Sequence, residues 1–386
     1  LRKILFIVVL IPIVGAVGWW YFSERTLPDH GPSYREYAYI TNGKSNTVSV
    51  IDLRSFAPAK TLRVGNEPTG IAANSKKNEI YVVNTGSDNI SVINAEQNAV
   101  VATIGVHGRP YFIDVSADGK RGYVANSASN NVSVIDLGQR VAIGILRVGL
   151  EPGLARVSPD GGTVIVSNRG DNTVSLIDAA QLKVRSTIAV CQQPEDIVIL
   201  PDNSKAFVAC AGASQVASID LKSDKVLALL DVGKTPVHLA LKPDGGELMV
   251  SNFDSDSISI IETTTNEVSG SYLIGTNPAH GLVSADNSRL YVSNFGASTM
   301  SVYDIDLGKM IASLPVGSHP DGLALSQSQN YVLILDSGSG DVTVIQKRVP
   351  KKEFERGEYS LLTMIPVGEK PNNIVVKSFV LGNTGR

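Results

Sequence analysis

Residues 110–151 read PYFIDVSADGKRGYVANSASNNVSVIDLGQRVAIGILRVGLE. Four short runs rich in β-branched and aromatic residues stand in this stretch: PYFIDV, RGYVAN, NVSVID and VAIGILRV. Turn formers separate them: Asp118-Gly119, then Ser129-Asn130, then Leu137-Gly138. Runs of this length bounded by Gly, Asn, Asp and Pro make strands joined by tight turns, and no window carries a helical period. The four strands are called A to D in chain order.

The same pattern recurs along the chain. Proline stands at Pro68, Pro110, Pro152, Pro194, Pro236, Pro278 and Pro320, each 42 residues after the last, and an eighth, Pro371, follows after 51. Strand B begins at Tyr39, Tyr81, Tyr123, Ile165, Phe207, Met249, Tyr291 and Tyr331, which makes eight copies. Fixed self-similarity at this period marks a repeat architecture. Most strands are apolar on both faces, which suits a ring of sheets packed face to face. The expected fold is all-β, an eight-bladed β-propeller of four-stranded blades spanning residues 37–376. The first copy lacks strand A and the chain ends on an isolated one, Asn372 to Val376, so the last strand is expected to close the ring beside Tyr37 to Thr41 and remove an exposed edge.

At the N-terminus Arg2 and Lys3 precede an uncharged apolar run from Ile4 to Phe22, ending in Trp19, Trp20, Tyr21 and Phe22. A run of about 19 residues is long enough to cross a bilayer, and aromatics settle at its interface. The expectation is a transmembrane anchor over residues 1–22, a linker over 23–36 and a C-terminal tail over 377–386. The propeller would then lie on the periplasmic or extracellular side of the cytoplasmic membrane. A signal peptide cleaved before Val17 is the rival reading. The net charge is −3, with no long basic block, so nucleic acid is not an expected partner.

The segments Tyr39-Ile-Thr-Asn42, Asn46-Thr-Val-Ser-Val-Ile-Asp52 and Ser116-Ala-Asp-Gly-Lys120 resemble the YVTN family of β-propeller repeats over about residues 37 to 376. The resemblance implies the fold and leaves activity open. Similar eight-bladed rings occur in the d-type haem domain of periplasmic nitrite reductases, and seven-bladed ones in some sugar lactonases.

In a propeller the D–A and B–C connections share one face. Two places after each repeat proline, at the channel mouth on that face, stand Gly70, Phe112, Leu154, Asp196, His238, His280, Gly322 and Asn373. Asp196, His238 and His280 thus fall at one structural position in consecutive blades, with Glu195 and Asp321 beside them. A carboxylate and two imidazoles suit a divalent metal or a haem iron; the plainer reading is a hydrated mouth. Asp114 and Arg156, at equivalent positions in adjacent blades, are expected to pair. Arg169, Phe253 and Phe295 follow strand-end Asn residues and are candidates for an interaction surface. So are Lys351 and Lys352, in an extra segment of the last blade. Aspartates recurring at the end of strand C read as turn formers. Cys191 and Cys210, the only cysteines, depart from the repeat within one A–B hairpin and are expected to form a disulfide.

No nucleophile elbow or phosphate loop is present, so the sequence is read as a non-enzyme. The leading expectation is a non-catalytic binding or scaffolding module outside the cytoplasmic membrane. Its partners would be a membrane protein complex or other exported proteins, with the bilayer engaged through the N-terminal helix. The alternative, from a different class, is a haem- or metal-binding propeller, a cofactor carrier or redox protein, using the histidines at the channel mouth.

Overall fold

A computed structural model describes residues 31–348 and 358–381. They form eight antiparallel four-stranded sheets. In blades two to eight the A strands are Pro68–Ala73, Pro110–Val115, Pro152–Val157, Pro194–Ile199, Pro236–Leu241, Pro278–Val283 and Pro320–Leu325, each starting on the repeat proline. A proline is tolerated there because a first strand residue can spare its ladder hydrogen bond. Each A strand packs against the A strands of the blades on both sides, so these eight strands line the central channel. Strands B and C are buried on both faces, as in Thr163–Asn168 and Thr173–Asp178, whereas strand D, as in Lys183–Ala189, alternates exposed and half-buried residues at the rim.

Blade one is closed by the two ends of the described chain. Tyr34–Asn42 pairs antiparallel with Pro371–Val380, with Ile40 opposite Ile374 and Tyr34 opposite Val380. The pairing begins at Tyr34 rather than Tyr37 and runs to Val380 rather than Val376, because Glu36 is drawn in by its own contacts. Its carboxylate accepts the Gln327 N–H of blade eight (2.6 Å) and the Tyr34 hydroxyl (3.0 Å).

The core is divided among the blade junctions. One cluster joins Tyr123, Val132 and Val134 of blade three to Ala155, Val164 and Ile177 of blade four. Each fully buried Val, Ile or Leu contributes about 1.5–3 kcal/mol, so a blade is stabilised chiefly by its neighbours. The connections are tied as well. Asn46, Asp88, Asn130, Asn172 and Asp256 in the B–C loops each accept, through Oδ1, an N–H of the following D–A loop at 2.8–2.9 Å. The strand-C aspartates are turn formers: Asp136 Oδ1 accepts the N–H groups of Gly138 and Gln139.

Blade five replaces one of these local devices. Three residues before the proline most blades carry Gly, where a Cβ would stand 2.6 Å from the strand-B Asn, as at Gly149 with Asn168 and Gly233 with Asn252. In blade five both members of that contact are exchanged together: Cys191 and Cys210 form a disulfide with Cα atoms 5.6 Å apart.

The expected transmembrane helix over 4–22 lies outside the described residues, and among those residues no helix is long and apolar enough to cross a membrane. The fold is therefore corrected, for the described residues, to the propeller alone. The single-pass, membrane-anchored topology, the bilayer as partner and the periplasmic or extracellular placement had rested on that helix, and they are withdrawn with it. Lys351 and Lys352 also lie outside the described residues.

Candidate functional site

The residue two places after the repeat proline turns its side chain toward the next blade. Asp196 Oδ2 accepts the N–H of Leu239 (3.0 Å), and His238 Nδ1 accepts the N–H of Gly281 (3.3 Å). The two contacts are one device repeated a blade apart. Asp196 is 6% exposed, and its Oδ1 takes the Ile197 N–H (2.9 Å) and faces the Arg156 guanidinium (3.4 Å). Arg156 in turn lies 4.7 Å over the Phe112 ring. The expected pairing of Arg156 with Asp114 gives way to Asp196, while Asp114 Oδ2 accepts the N–H of Val157 (2.9 Å).

The histidines meet as expected from their shared position, but in different states. With Nδ1 accepting from Gly281, a neutral His238 carries its proton on Nε2, 3.8 Å from Asp196 Oδ2. His280 stacks on it, ring centroids 3.7 Å apart and tilted by 37°. The hydrogen bonds of His280 run through its backbone, its N–H donating to Ser293 Oγ (3.1 Å) and its carbonyl accepting from the same hydroxyl (3.4 Å). Among the described residues no hydrogen bond ties down its ring nitrogens. Burial, with His238 and Arg156 adding to it, holds the His280 ring well below the ordinary imidazole range. Burial also lowers His238, with Arg156 assisting and Asp196 opposing. Both rings are thus neutral near pH 7; the lone pair of His238 is taken by Gly281, and that of His280 is open.

Above this throat the mouth has two unlike walls. On one, the Arg169 guanidinium pairs with Glu195 (2.7 Å) and lies 4.8 Å over the Tyr111 ring. It rests on Gly153, where a Cβ would come within 2.5 Å of Arg169 Nε. Burial pushes the Glu195 carboxyl up, with Arg169 opposing and Asp196 adding. On the other wall Phe253 and Phe295 lie 6.0 Å apart, and Phe295 stacks on His319 at 4.6 Å. Among the described residues no hydrogen bond or ion pair joins the Asp321 carboxyl to the histidines, and burial raises it. Among the described residues no group of three His, Cys, Asp or Glu side chains is placed to hold a metal ion. Tyr111, Gly153 and His319 were not singled out from the sequence, and Phe112 was named only as one of the ring of mouth positions. Gly153 alone left a trace there, a glycine beside the repeat proline one strand away from an arginine.

No family model and no curated protein matches the chain. Among solved structures, dihydro-heme d1 dehydrogenase NirN in complex with DHE is 13% identical, with a TM-score of 0.72 over 88% of this chain and 74% of that one. Hydrazine synthase of Kuenenia stuttgartiensis is 22% identical, with a TM-score of 0.59 over 69% of this chain and 91% of that one. A functionally unknown protein from Desulfotomaculum acetoxidans DSM 771 is 14% identical, with a TM-score of 0.60 over 88% and 98%. Such likeness shows the fold. The reading as a scaffold held outside a membrane is corrected: among the described residues no helix is long and apolar enough to cross one, and the polar cluster at the channel mouth favours the alternative of a cofactor-binding propeller. The chain is an eight-bladed β-propeller, and its likeness to these structures is one of fold.

Proposed function

We propose that this propeller holds a haem-type iron tetrapyrrole at its channel mouth through His280, and serves as a cofactor carrier or redox protein. The observation that carries the reading is the contrast between the two stacked imidazoles. His238 is committed to Gly281 and Asp196, whereas His280 is neutral with its ring nitrogens uncommitted. A divalent metal in an all-protein cage needs three or four converging donors, which the described residues do not assemble. A haem iron brings four nitrogens of its own and asks the protein for one or two axial ligands. The donor set fits that demand.

The surroundings fit as well. Haem carboxylates call for cationic partners, and Arg156 and Arg169 stand at the throat and the mouth, with Arg169 Nε buried and without a hydrogen-bond partner. Phe253, Phe295 and His319 offer flat apolar surface to a macrocycle. When bound, the iron would supply reversible one-electron chemistry. The chain's own part is to present His280, to balance charge and to exclude water. NirN, a propeller of shared fold whose structure was solved in complex with DHE, lends support. The Tyr-Val-x-Asn and Val-Ser-Val-Ile-Asp runs support a place among YVTN-type repeat propellers.

Titrating the purified protein with ferric haem, followed by absorption spectroscopy, tests the proposal. Wild type should take up one haem with an imidazole-ligated spectrum, His280→Ala should lose that spectrum, and His238→Ala should weaken uptake without changing the axial ligand. A wild type that binds no haem, or a His280→Ala protein with an unchanged spectrum, refutes it.

A further inference from the structure

Strand B ends in Asn in blades one, two, three, four, six and seven, and that amide has a fixed task. Its Nδ2 donates to the residue five places on and to the hydroxyl seven places on. Asn84, for example, reaches Asn89 Oδ1 (2.7 Å) and Ser91 Oγ (2.9 Å). Asn168 reaches Thr173 and Ser175 in the same way. In blade eight the strand ends in Asp336, five places on stands Asp341, and seven places on stands Thr343. Asp336 is 0% exposed. Its Oδ2 accepts from the Thr343 N–H (3.1 Å) and the Thr343 hydroxyl (2.6 Å). Oδ2 therefore stands in the place of the amide nitrogen, and the buried Oδ1 of Asp341, in the place of Asn89 Oδ1, has no partner among the other groups; Asp336 Oδ1 has none either, like the Asn Oδ1 of blades two, four, six and seven. Two ionised carboxylates so placed would leave both oxygens desolvated, unpaired and mutually repelling. A carboxylic acid O–H does what the amide N–H does elsewhere.

We propose that the Asp336 and Asp341 carboxyls share one proton, and that its release to solvent loosens the two loops that hold His319 at the channel mouth. Those loops rest directly on the pair. Gly317 packs so closely that a Cβ there would meet Asp336 Cβ and Cγ at 2.6 Å, and its N–H donates to the Thr343 hydroxyl (3.2 Å) that Asp336 holds. Above it the Ser337 N–H and hydroxyl both donate to the His319 carbonyl (3.0 and 2.8 Å), and the Gly338 N–H donates to the Ser318 carbonyl (2.9 Å). His319 takes a left-handed backbone (φ 51°) and stacks on Phe295. The titratable groups on the elements packed around Asp336 are Asp341 on strand C, Asp321 on strand A and His319 in the D–A loop. Of these, Asp341 is the one whose charge acts on it. Burial first, then Asp341, pushes the Asp336 carboxyl up to about 8, which puts the latch closed at neutral pH and open in mild alkali. The proposal stands on blade eight alone and does not depend on a cofactor.

Infrared spectroscopy and hydrogen exchange on the cofactor-free protein decide it. At about pH 6 the wild type should show the carbonyl stretch of a buried protonated carboxyl, absent from Asp336→Asn, and the band should fade toward about pH 9. Over the same range the amides of 317–319 and 337–340 should exchange on the order of tenfold faster than base catalysis of exchange accounts for, in wild type but not in Asp336→Asn. Asp341→Asn, which supplies an amide donor to Asp336, should also remove both effects, and it serves if Asp336→Asn folds poorly. The absence of the band at about pH 6, equal exchange in wild type and variants, or a stoichiometric cation found by metal analysis in place of the proton would overturn the proposal.

Discussion

Asp196→Ala is the most informative single change at the channel mouth. The carboxylate receives the N–H groups of Ile197 and Leu239 and faces Arg156 and His238. Removing it leaves the Leu239 N–H without its acceptor in the throat, which costs about 1–3 kcal/mol. Arg156 loses its partner too, but its side chain is 29% exposed and it keeps the Phe112 ring. Its contribution therefore falls short of the roughly 3–5 kcal/mol of a fully buried broken pair. The expected destabilisation is about 2–3 kcal/mol, read from urea unfolding followed by circular dichroism. Asp196→Asn retains an oxygen for Leu239 and His238, loses the charge and turns an NH2 group toward Ile197 and Arg156, so about 1 kcal/mol is expected. Asp196→Ala alone frees His238 Nε2 and should loosen its stack on His280, seen as broadened imidazole resonances. If Asp196→Ala and Asp196→Asn are equally stable, the cross-blade acceptor role assigned to this carboxylate is wrong.

Three further outcomes follow from the same structure. Reducing the Cys191–Cys210 bond, which closes a loop with a sequence separation of 19, should lower stability by about 3 kcal/mol. The Cys191→Gly/Cys210→Asn pair should recover part of that, while Cys210→Asn alone forces a Cβ against the amide and should be worse than the pair; additive single effects would refute the exchange of one device for the other. Deleting residues from Pro371 onward removes strand A of blade one and exposes Tyr39 and Ile40, so the melting temperature should fall by many degrees; an unchanged value would show that ring closure contributes little. Because the His280 ring sits well below the ordinary imidazole range, its neutral form persists as pH falls past about 6.5, so haem uptake should hold steady from about pH 8 to about pH 6; half-loss near about 6.5 would show an unshifted histidine.

Much of the fold was legible because each repeat carries its own local chemistry: the proline that opens strand A, the Asp that caps the C–D turn, the Asn that closes strand B. Departures from that chemistry were legible too when both partners fell in one hairpin, as with Cys191 and Cys210. What sequence could not supply was register between blades. Asp114 and Arg156 are equivalent positions, yet the stagger of neighbouring A strands carries Arg156 to Asp196, two places nearer the proline in the next blade. The apolar run at 4–22 lies outside the described residues, and among those no helix is long and apolar enough to cross a membrane.

The histidines show where equivalence itself stops being informative. His238 and His280 occupy one position in the repeat, and by symmetry both should accept the N–H three places after the next proline. His238 does, from Gly281, as Asp196 does from Leu239 one blade earlier. In the next blade the corresponding residue is Leu323, 5% exposed and packed with Tyr291 and Val332 in the core of that junction. His280 instead lies against His238, and its nitrogens stay uncommitted. One repeat position thus carries a histidine held by the next blade and another whose ring nitrogens make no hydrogen bond among the described residues.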